Sequence, residues 1–297
     1  QYAARRFLRI YPALAVGVLA AWAVQHVRVH FEIVDSGPDA ITAPDSLADV
    51  VMSMTLVNYV EVPQVVVLYV AWTLVVQVLF YIGLFLLRPL LHWAGVIPWI
   101  LLAAVMAGLQ TARDFGDNYF LLIASVSYLP IVIAGQVVWL RWSHRVGTVH
   151  FALLTAATWV VFVRGMEIMR PGFLDATNSY GVTLALTWAV FVFALLSEHR
   201  LRPSRLVAYL AARSYSVYLL HGPLGLLTLD WVGPHVPYTV ALVLALGVTA
   251  GASELLYRLV ETPARRLARR VKRRPAAQAS ASPGPAVEPA SSAPSAW

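Results

Sequence analysis

The sequence contains no cysteine, and it is poor in charge, since only 12% of its 297 residues are Asp, Glu, Lys or Arg. Without cysteine the chain has no disulfide framework, no thiolate nucleophile and no thiolate metal ligand. Its histidines and carboxylates show no spacing typical of a zinc or di-iron site, so we expect no metal and no bound cofactor. A soluble domain usually has about 25% charged residues. The composition therefore argues against a soluble domain, a disulfide scaffold and a metalloenzyme.

Apolar residues make up 59% of the chain and are concentrated in long runs. A helix needs about 20 apolar residues to cross the hydrocarbon core of a bilayer. Eight segments meet or approach that length, and the fifth is the shortest: 11–29, 69–87, 91–110, 118–140, 149–163, 179–197, 206–229 and 238–260. Segment 47–62 is apolar on one side but contains Asp49, Asn58 and Glu61, which predicts a helix lying at the membrane interface. The fold class predicted is an all-α, polytopic transmembrane helix bundle.

The charges fall between the apolar runs and alternate in sign from one loop to the next. Basic residues occur at Arg5, Arg6 and Arg9, at Arg88, and in 141–145, 200–205 and 265–274, whereas acidic residues dominate the other loops. By the positive-inside rule, this places both ends of an eight-span bundle in the cytoplasm. In a soluble protein the net charge of +7 would suggest nucleic acid. Here membrane topology explains it, so we predict the bilayer as a partner and no nucleic acid.

Composition also divides the chain into two parts. Residues 1–274 are the predicted membrane domain, and 275–297 are rich in Pro, Ala and Ser, which predicts a disordered cytoplasmic tail. The chain begins with Gln1, and its first arginines lead into a long span rather than a short signal-peptide core. These features leave open that the chain is a fragment.

Arginines lead into the first apolar segment within the run Arg6-Phe7-Leu8-Arg9-Ile10-Tyr11-Pro12. Arg6 and Arg9 are three residues apart, so they share a helix face. Pro12 suits the first turn of a span. The alternative is a basic cluster that only sets topology.

Polar side chains recur within the second apolar segment. Thr73, Gln77 and Tyr81 follow one another at intervals of four residues, which places them on one helix face after Trp72. Polar groups inside spans are expensive and are functional candidates. The alternative is that the Gln77 amide only holds two helices together, worth about 0.6–2 kcal/mol.

A third polar stripe lies in the seventh apolar segment. Ser214, Tyr218 and His221 fall at i, i+4 and i+7, and Pro223 predicts a kink just beyond His221. A lone buried histidine is often only structural, but serine and tyrosine on the same face favour a functional role.

The last apolar segment ends in charged residues. Glu254, Arg258 and Glu261 are predicted to share a face, with Glu254 and Arg258 forming an i, i+4 ion pair. The alternative is an ordinary ion pair at the membrane interface.

Taken in order, four motifs resemble the acyltransferase 3 family of bacterial integral-membrane O-acyltransferases. They are Arg-Arg-x-x-Arg-Ile-x-Pro from Arg5, Trp-Thr-Leu-x-x-Gln-x-x-Phe-Tyr from Trp72, Ser-Tyr-x-x-Tyr-Leu-x-His-x-Pro from Ser214 and Tyr-x-x-x-Glu-x-Pro from Tyr257. Each motif alone is weak, whereas four in order are fairly specific. The resemblance extends from Arg5 to about Arg266.

The resemblance implies a multi-pass protein of the bacterial inner membrane. Its activity would be transfer of an acyl group, with acetyl expected, from acyl-CoA as co-substrate to a hydroxyl of a cell-surface carbohydrate or a lipid-linked acceptor. Such O-acetylation would modify a polysaccharide. The residues implied are His221, Gln77 and Glu261 at catalytic positions, and Arg6, Arg9, Trp72, Tyr81 and Tyr218 at substrate-binding positions.

The chain departs from the family pattern in two ways. The family has two spans before its arginine motif, and the first of them bears a histidine taken to be catalytic. The resemblance therefore implies that the membrane domain 1–274 is N-terminally incomplete and that this histidine lies outside the sequence. His221 is the alternative base within the chain, although its family position argues against that role. The family also usually has Glu where this chain has Gln77, and an amide cannot act as a general base.

Two other functions remain open from the sequence. A transporter or flippase of a lipid-linked sugar would use the same polar residues as a path without acyl chemistry. A non-catalytic, truncated remnant would retain the motifs only for packing.

Overall fold

The fold is known from a computed structural model, which describes residues 2–31, 46–60, 67–112, 120–169, 180–197 and 204–270. These residues form helices and contain no strand. The α-helices are α1 Tyr2–His30, α2 Leu47–Thr55, α3 Trp72–Leu86, α4 Ile97–Ala112, α5 Phe120–Ser127, α6 Leu129–Trp142, α7 Thr148–Met169, α8 Tyr180–Leu196, α9 Arg205–Leu220, α10 Leu226–Val232, α11 Tyr238–Leu256 and α12 Thr262–Arg270. The prediction of an all-α bundle is confirmed. The predicted tail 275–297 and most of the acidic loop residues lie outside the described ranges.

Several helices are long and apolar enough to cross a membrane. In the described part of the chain there are five: Ala4–His30, Tyr69–Leu86, Leu121–Trp142, Thr148–Met169 and Tyr238–Arg270. Ile97–Thr111 and Gly181–Leu196 are shorter apolar helices. The protein therefore has the multi-pass character that the apolar runs predict, while the count of eight spans stays a prediction.

The predicted spans differ in detail from the helices observed. The fifth predicted span, expected to be the shortest, corresponds to α7, which has 22 residues. It is longer than predicted because the helix continues through Arg164 and Glu167. The fourth predicted span is divided at Tyr128 into α5 and α6, and Pro130 lies in the first turn of α6. A proline is tolerated in a first helical turn, where its missing N–H costs no bond.

Helix α2 corresponds to the predicted interfacial segment. Ser46 caps it by accepting a hydrogen bond from the Asp49 N–H at 3.2 Å, and Val50 and Ser53 are its buried residues. Leu56, with a φ of 65°, ends the helix. A helix of nine residues is about 13.5 Å long, which is too short to cross about 30 Å of hydrocarbon.

In the described part of the chain, two larger apolar clusters and a small third one around Phe162 and Met166 form the core. The largest joins α1, α3 and α9 and includes Leu14, Val18, Leu74 and Leu219, while a second joins α4, α6 and α7. Gly17 permits the close contact of α1 with α9, because a Cβ there would lie 3.3 Å from the Leu219 Cβ. Small residues at such crossings bring helix backbones together in membranes.

Two π-helical turns interrupt the last helices. One covers His221–Gly225 and contains Pro223, and the other covers Tyr257–Glu261. Proline removes a backbone donor and clashes with the preceding turn, so the chain widens locally instead of continuing as an α-helix. A π turn thus lies between α9 and α10 at the place where a kink is predicted, and the kink itself stays a prediction.

Candidate functional site

Motif residues of α1 and α3 meet at one end of the bundle. The Arg6 guanidinium lies over the ring of Tyr81, with its central carbon 4.9 Å from the ring centroid. This is the geometry of a cation–π contact. Arg6 is half-buried, and Arg9, one turn later on α1, is exposed. The arrangement leaves both arginines at the end of α1 that the charge pattern predicts to be cytoplasmic.

The polar face of α3 leads from this end toward the middle of the bundle. Tyr81, Gln77 and Thr73 are all half-buried and follow one another at one-turn intervals. Each step of four residues moves about 6 Å along the helix axis. Gln77 therefore lies midway between the arginine end and Thr73, as the spacing predicts.

Tyr218 on α9 contacts the polar face of α3 at Thr73, the end of that face away from Arg6. Its hydroxyl contacts both the Thr73 hydroxyl and the Val70 carbonyl oxygen. Because a carbonyl oxygen only accepts, the Tyr218 hydroxyl donates to Val70 and accepts from Thr73. Two elements far apart in sequence thus position one phenol.

His221 follows Tyr218 by three residues and is exposed. Its Nδ1 lies 2.8 Å from the Tyr218 carbonyl oxygen, and the two rings are 6.1 Å apart between centroids. Since the carbonyl only accepts, Nδ1 carries the hydrogen, which leaves Nε2 as an acceptor in the neutral ring. That tautomer is the one able to take a proton from a substrate at Nε2.

Ser214, the third residue of the predicted stripe, does not join the tyrosine and the histidine through a hydrogen bond. It is exposed, and its hydroxyl donates to the Ala211 carbonyl oxygen at 3.0 Å. The functional part of the stripe is therefore reduced to Tyr218 and His221.

Glu261 lies in the π turn after α11 and is not part of the polar face of α3. It is only 1% exposed, its Oε2 accepts a hydrogen bond from the Ser216 hydroxyl at 2.8 Å, and its Oε1 pairs with Arg265. Arg265 also reaches the Ala212 carbonyl oxygen at 3.4 Å. With both carboxylate oxygens engaged, Glu261 ties the end of α11 to α9. Its predicted catalytic role stays a prediction.

Glu254 forms a separate cluster of charges. The predicted pair with Arg258 is present, and Arg213 on α9 binds the same carboxylate, with its Nη2 3.0 Å from Oε1. The Tyr209 hydroxyl donates to Oε2 at 2.9 Å. Glu261, predicted to share this face, also bonds to α9, where its partner is Ser216.

A cavity of about 250 Å³ opens beside Trp72, and no sequence pattern predicted it. The Trp72 and Tyr128 rings are 4.7 Å apart between centroids. The lining residues are Tyr59, Tyr69, Trp72, Leu121, Ala124, Ser125, Ser127, Tyr128, Met166 and Met169. They come from four separate stretches of the chain, so only the tertiary fold brings them together.

Tyr59 forms a buried part of the cavity wall. It is 2% exposed, and its hydroxyl donates to the Leu68 carbonyl oxygen at 2.7 Å. Burial, and then the neighbouring phenols of Tyr218 and Tyr69, raise the pKa of Tyr59 above its usual range. The Tyr59 and Tyr218 hydroxyls donate to the carbonyl oxygens of Leu68 and Val70, two residues apart, so this part of the wall adjoins the Tyr218 end of the polar line.

Within the described residues, no three histidine or carboxylate side chains are grouped so that they could hold a metal ion.

A family model described as an acyltransferase domain, that of acyltransferase 3, matches residues 1–258. The chain belongs to the acyltransferase 3 family. The matched region contains every proposed site residue except Glu261. No curated protein and no solved structure matches the chain. The resemblance drawn from the motifs is thereby confirmed, and the protein is an acyltransferase of the membrane-bound O-acyltransferase type, with several apolar helices.

Proposed function

We propose that this acyltransferase 3 protein transfers an acyl group, with acetyl expected, from acyl-CoA to a hydroxyl of a cell-surface carbohydrate or lipid-linked acceptor. We place it in a bacterial inner membrane. The observation that carries the proposal is the line of polar side chains from Arg6 over Tyr81, along α3, to Tyr218 and His221. A donor at one end of this line and an acceptor at the other could meet within the bundle.

Arg6 and Arg9 would bind the anionic part of the donor. Arginine presents forked N–H donors that match phosphate oxygens, and both residues share one face of α1. Arg6 is also held over the Tyr81 ring, which limits its freedom before the donor arrives. Tyr81 and then Gln77 would line the route of the acyl group.

In the transfer step, the acceptor hydroxyl oxygen attacks the thioester carbonyl carbon. A C–O bond forms, the C–S bond breaks, and the hydroxyl proton ends on the sulfur of the released CoA. His221 presents Nε2 to accept that proton in transit, since Nδ1 is occupied by the Tyr218 carbonyl. Gln77 cannot take a proton, but its amide N–H can donate to the developing oxyanion.

Glu261 would support the reaction indirectly, by stabilising the fold around the site. Its bonds to Ser216 and Arg265 hold α9, the helix that carries Tyr218 and leads to His221. Trp72 and Tyr218 would contact the reacting groups at the far end of the line.

The test is consumption of acyl-CoA by the purified protein in detergent or nanodiscs. With a hydroxylated glycan acceptor, we expect thiol release from acetyl-CoA together with ester formation on the acceptor. The matched sample uses protein carrying Arg9→Ala at equal folded concentration. A transporter, a flippase or an inactive remnant would release no thiol above the protein-free rate, and that result would overturn the proposal.

A further inference from the structure

The cavity beside Trp72 lies between α3, α5 and α7. Its volume is about 250 Å³, and Leu121, Met166 and Met169 contribute apolar side chains to it. Trp72 and Tyr128 add aromatic faces. A cavity of about 150 Å³ lined by apolar side chains is large enough to bind benzene. The space beside Trp72 is therefore large enough for an organic group.

Most of the hydroxyls in the wall are already used by the protein. Tyr59 donates to the Leu68 carbonyl oxygen at 2.7 Å, and Ser125 and Ser127 donate to carbonyl oxygens of their own helix at 2.9 and 2.7 Å. A sugar placed here would lose water from several hydroxyls, and each one buried without a partner costs about 1–3 kcal/mol. The wall therefore favours a hydrocarbon group over a carbohydrate.

The cavity adjoins the far end of the polar line. Trp72, in its wall, precedes Thr73, whose hydroxyl contacts Tyr218. Tyr59, also in the wall, donates to the Leu68 carbonyl oxygen, two residues before the Val70 carbonyl oxygen that accepts from Tyr218. A group bound at Tyr218 and His221 could thus extend into this space without crossing the bundle.

We propose that this cavity holds the hydrocarbon chain of the acyl donor, so that the enzyme transfers acyl groups longer than acetyl. The inference rests on the proposed function but replaces acetyl, the acyl group expected there, with a longer chain. Scaled from the six carbons of benzene in about 150 Å³, the cavity has room for roughly ten carbons, so a hexanoyl or octanoyl chain fits within it. The bonds made and broken are those of the transfer step above, and only the chain on the carbonyl carbon differs.

The experiment compares acetyl-, butyryl-, hexanoyl- and octanoyl-CoA as donors for the purified protein, using kcat/KM. Each buried methylene contributes about 0.8 kcal/mol, or roughly fourfold, until the cavity is full. We expect hexanoyl-CoA to exceed acetyl-CoA by at least tenfold. Ala124→Leu fills the cavity and should lower the hexanoyl-to-acetyl ratio at least tenfold, whereas Met169→Ala enlarges it and should raise the ratio for octanoyl-CoA. The matched control is Ala156→Leu on the exposed side of α7, which should leave the ratio unchanged.

A second measurement does not depend on turnover. Hexanoyl-CoA should raise the melting temperature of the protein more than free CoA does, and Ala124→Leu should remove that difference. Transfer of acetyl with no preference for longer chains would overturn the inference and leave the proposed function intact. If no donor is consumed, the proposed function fails, and the melting data alone decide whether the cavity binds an acyl chain. Stabilisation by a polyprenyl phosphate, sensitive to Ala124→Leu and not matched by hexanoyl-CoA, would assign the cavity to a lipid tail and overturn the inference.

Discussion

Ser216 on α9 donates its hydroxyl hydrogen to the buried carboxylate of Glu261, 2.8 Å away, and thereby joins two helices that are 45 residues apart in sequence. Glu261 also pairs with Arg265, so each of its carboxylate oxygens has a partner within the fold. The acidic residue of the last motif therefore has the surroundings of a packing residue. A packing role of Glu261 can be distinguished from a catalytic role by measuring stability and turnover in the same variant.

Glu261→Gln is expected to destabilise the fold, because Arg265 loses its counter-charge in a largely buried position. Removing one partner of a buried ion pair typically costs about 3–5 kcal/mol, and the partial exposure of Arg265 favours the lower end. The melting temperature in detergent measures the change. Arg258→Ala, which removes a mostly exposed partner of Glu254, is the control and should have little effect. A Glu261→Gln protein with normal stability and lost turnover would instead make Glu261 catalytic.

Arg6→Ala and Arg9→Ala are each expected to raise the KM for acyl-CoA about tenfold or more, with a smaller change in kcat. A hydrogen bond to a charged group contributes about 1.5–3 kcal/mol, and the loss falls on donor binding. Steady-state kinetics at two ionic strengths measures the effect. Arg88→Ala is the control, since Arg88 is an exposed arginine predicted to lie on the same side of the membrane. An equal rise in KM for the control would mean that net charge, rather than a built site, attracts the donor.

His221→Gln is expected to lower kcat by about 10²–10⁴-fold, the usual contribution of general acid–base catalysis, with little change in KM. Glutamine retains hydrogen-bonding groups but takes up no proton. His26→Gln is a close control, because His26 is also exposed and its Nδ1 also bonds to a carbonyl oxygen of the preceding turn, that of Trp22 at 3.0 Å. A small and equal effect of both changes would return His221 to a structural role.

Gln77→Leu is expected to lower kcat by about 10²-fold or more while costing about 0.6 kcal/mol of stability. The leucine fills similar space but donates no hydrogen bond to an oxyanion. Gln110→Leu, at an exposed position on α4, controls for the loss of an amide from an apolar helix. If kcat is unchanged and only stability falls, Gln77 serves to hold helices together.

Gly17→Val is expected to destabilise the bundle by about 1–3 kcal/mol, the usual cost of overpacking. The Cβ would lie 3.3 Å from the Leu219 Cβ, so α9 must move away from α1. Gly108→Ala is the control, because a Cβ at Gly108 meets nothing within 4 Å, and alanine favours helix by about 1 kcal/mol. Thermal unfolding of both variants in one detergent measures the contrast. Equal stability of the two would mean that the α1–α9 contact is looser than the structure indicates.

The sequence by itself determined the helical fold, the membrane character and the family. A span depends on a continuous apolar run whose backbone bonds are all local, so it can be predicted without knowing its neighbours. The positions of Gln77 between Thr73 and Tyr81, and of His221 after Tyr218, also follow from helical spacing alone. The Glu254–Arg258 pair was predictable for the same reason, because its members are one turn apart.

Tertiary structure alone decided how these elements meet. Arg213 binds Glu254 from another helix, Tyr218 reaches Thr73 across 145 residues, and the cavity beside Trp72 draws its wall from four stretches of chain. The partner of Glu261, Ser216 on α9, is 45 residues away in sequence, so no spacing within the last segment specifies it. Such contacts depend on the packing and rotation of whole helices, which no local pattern in an apolar sequence specifies.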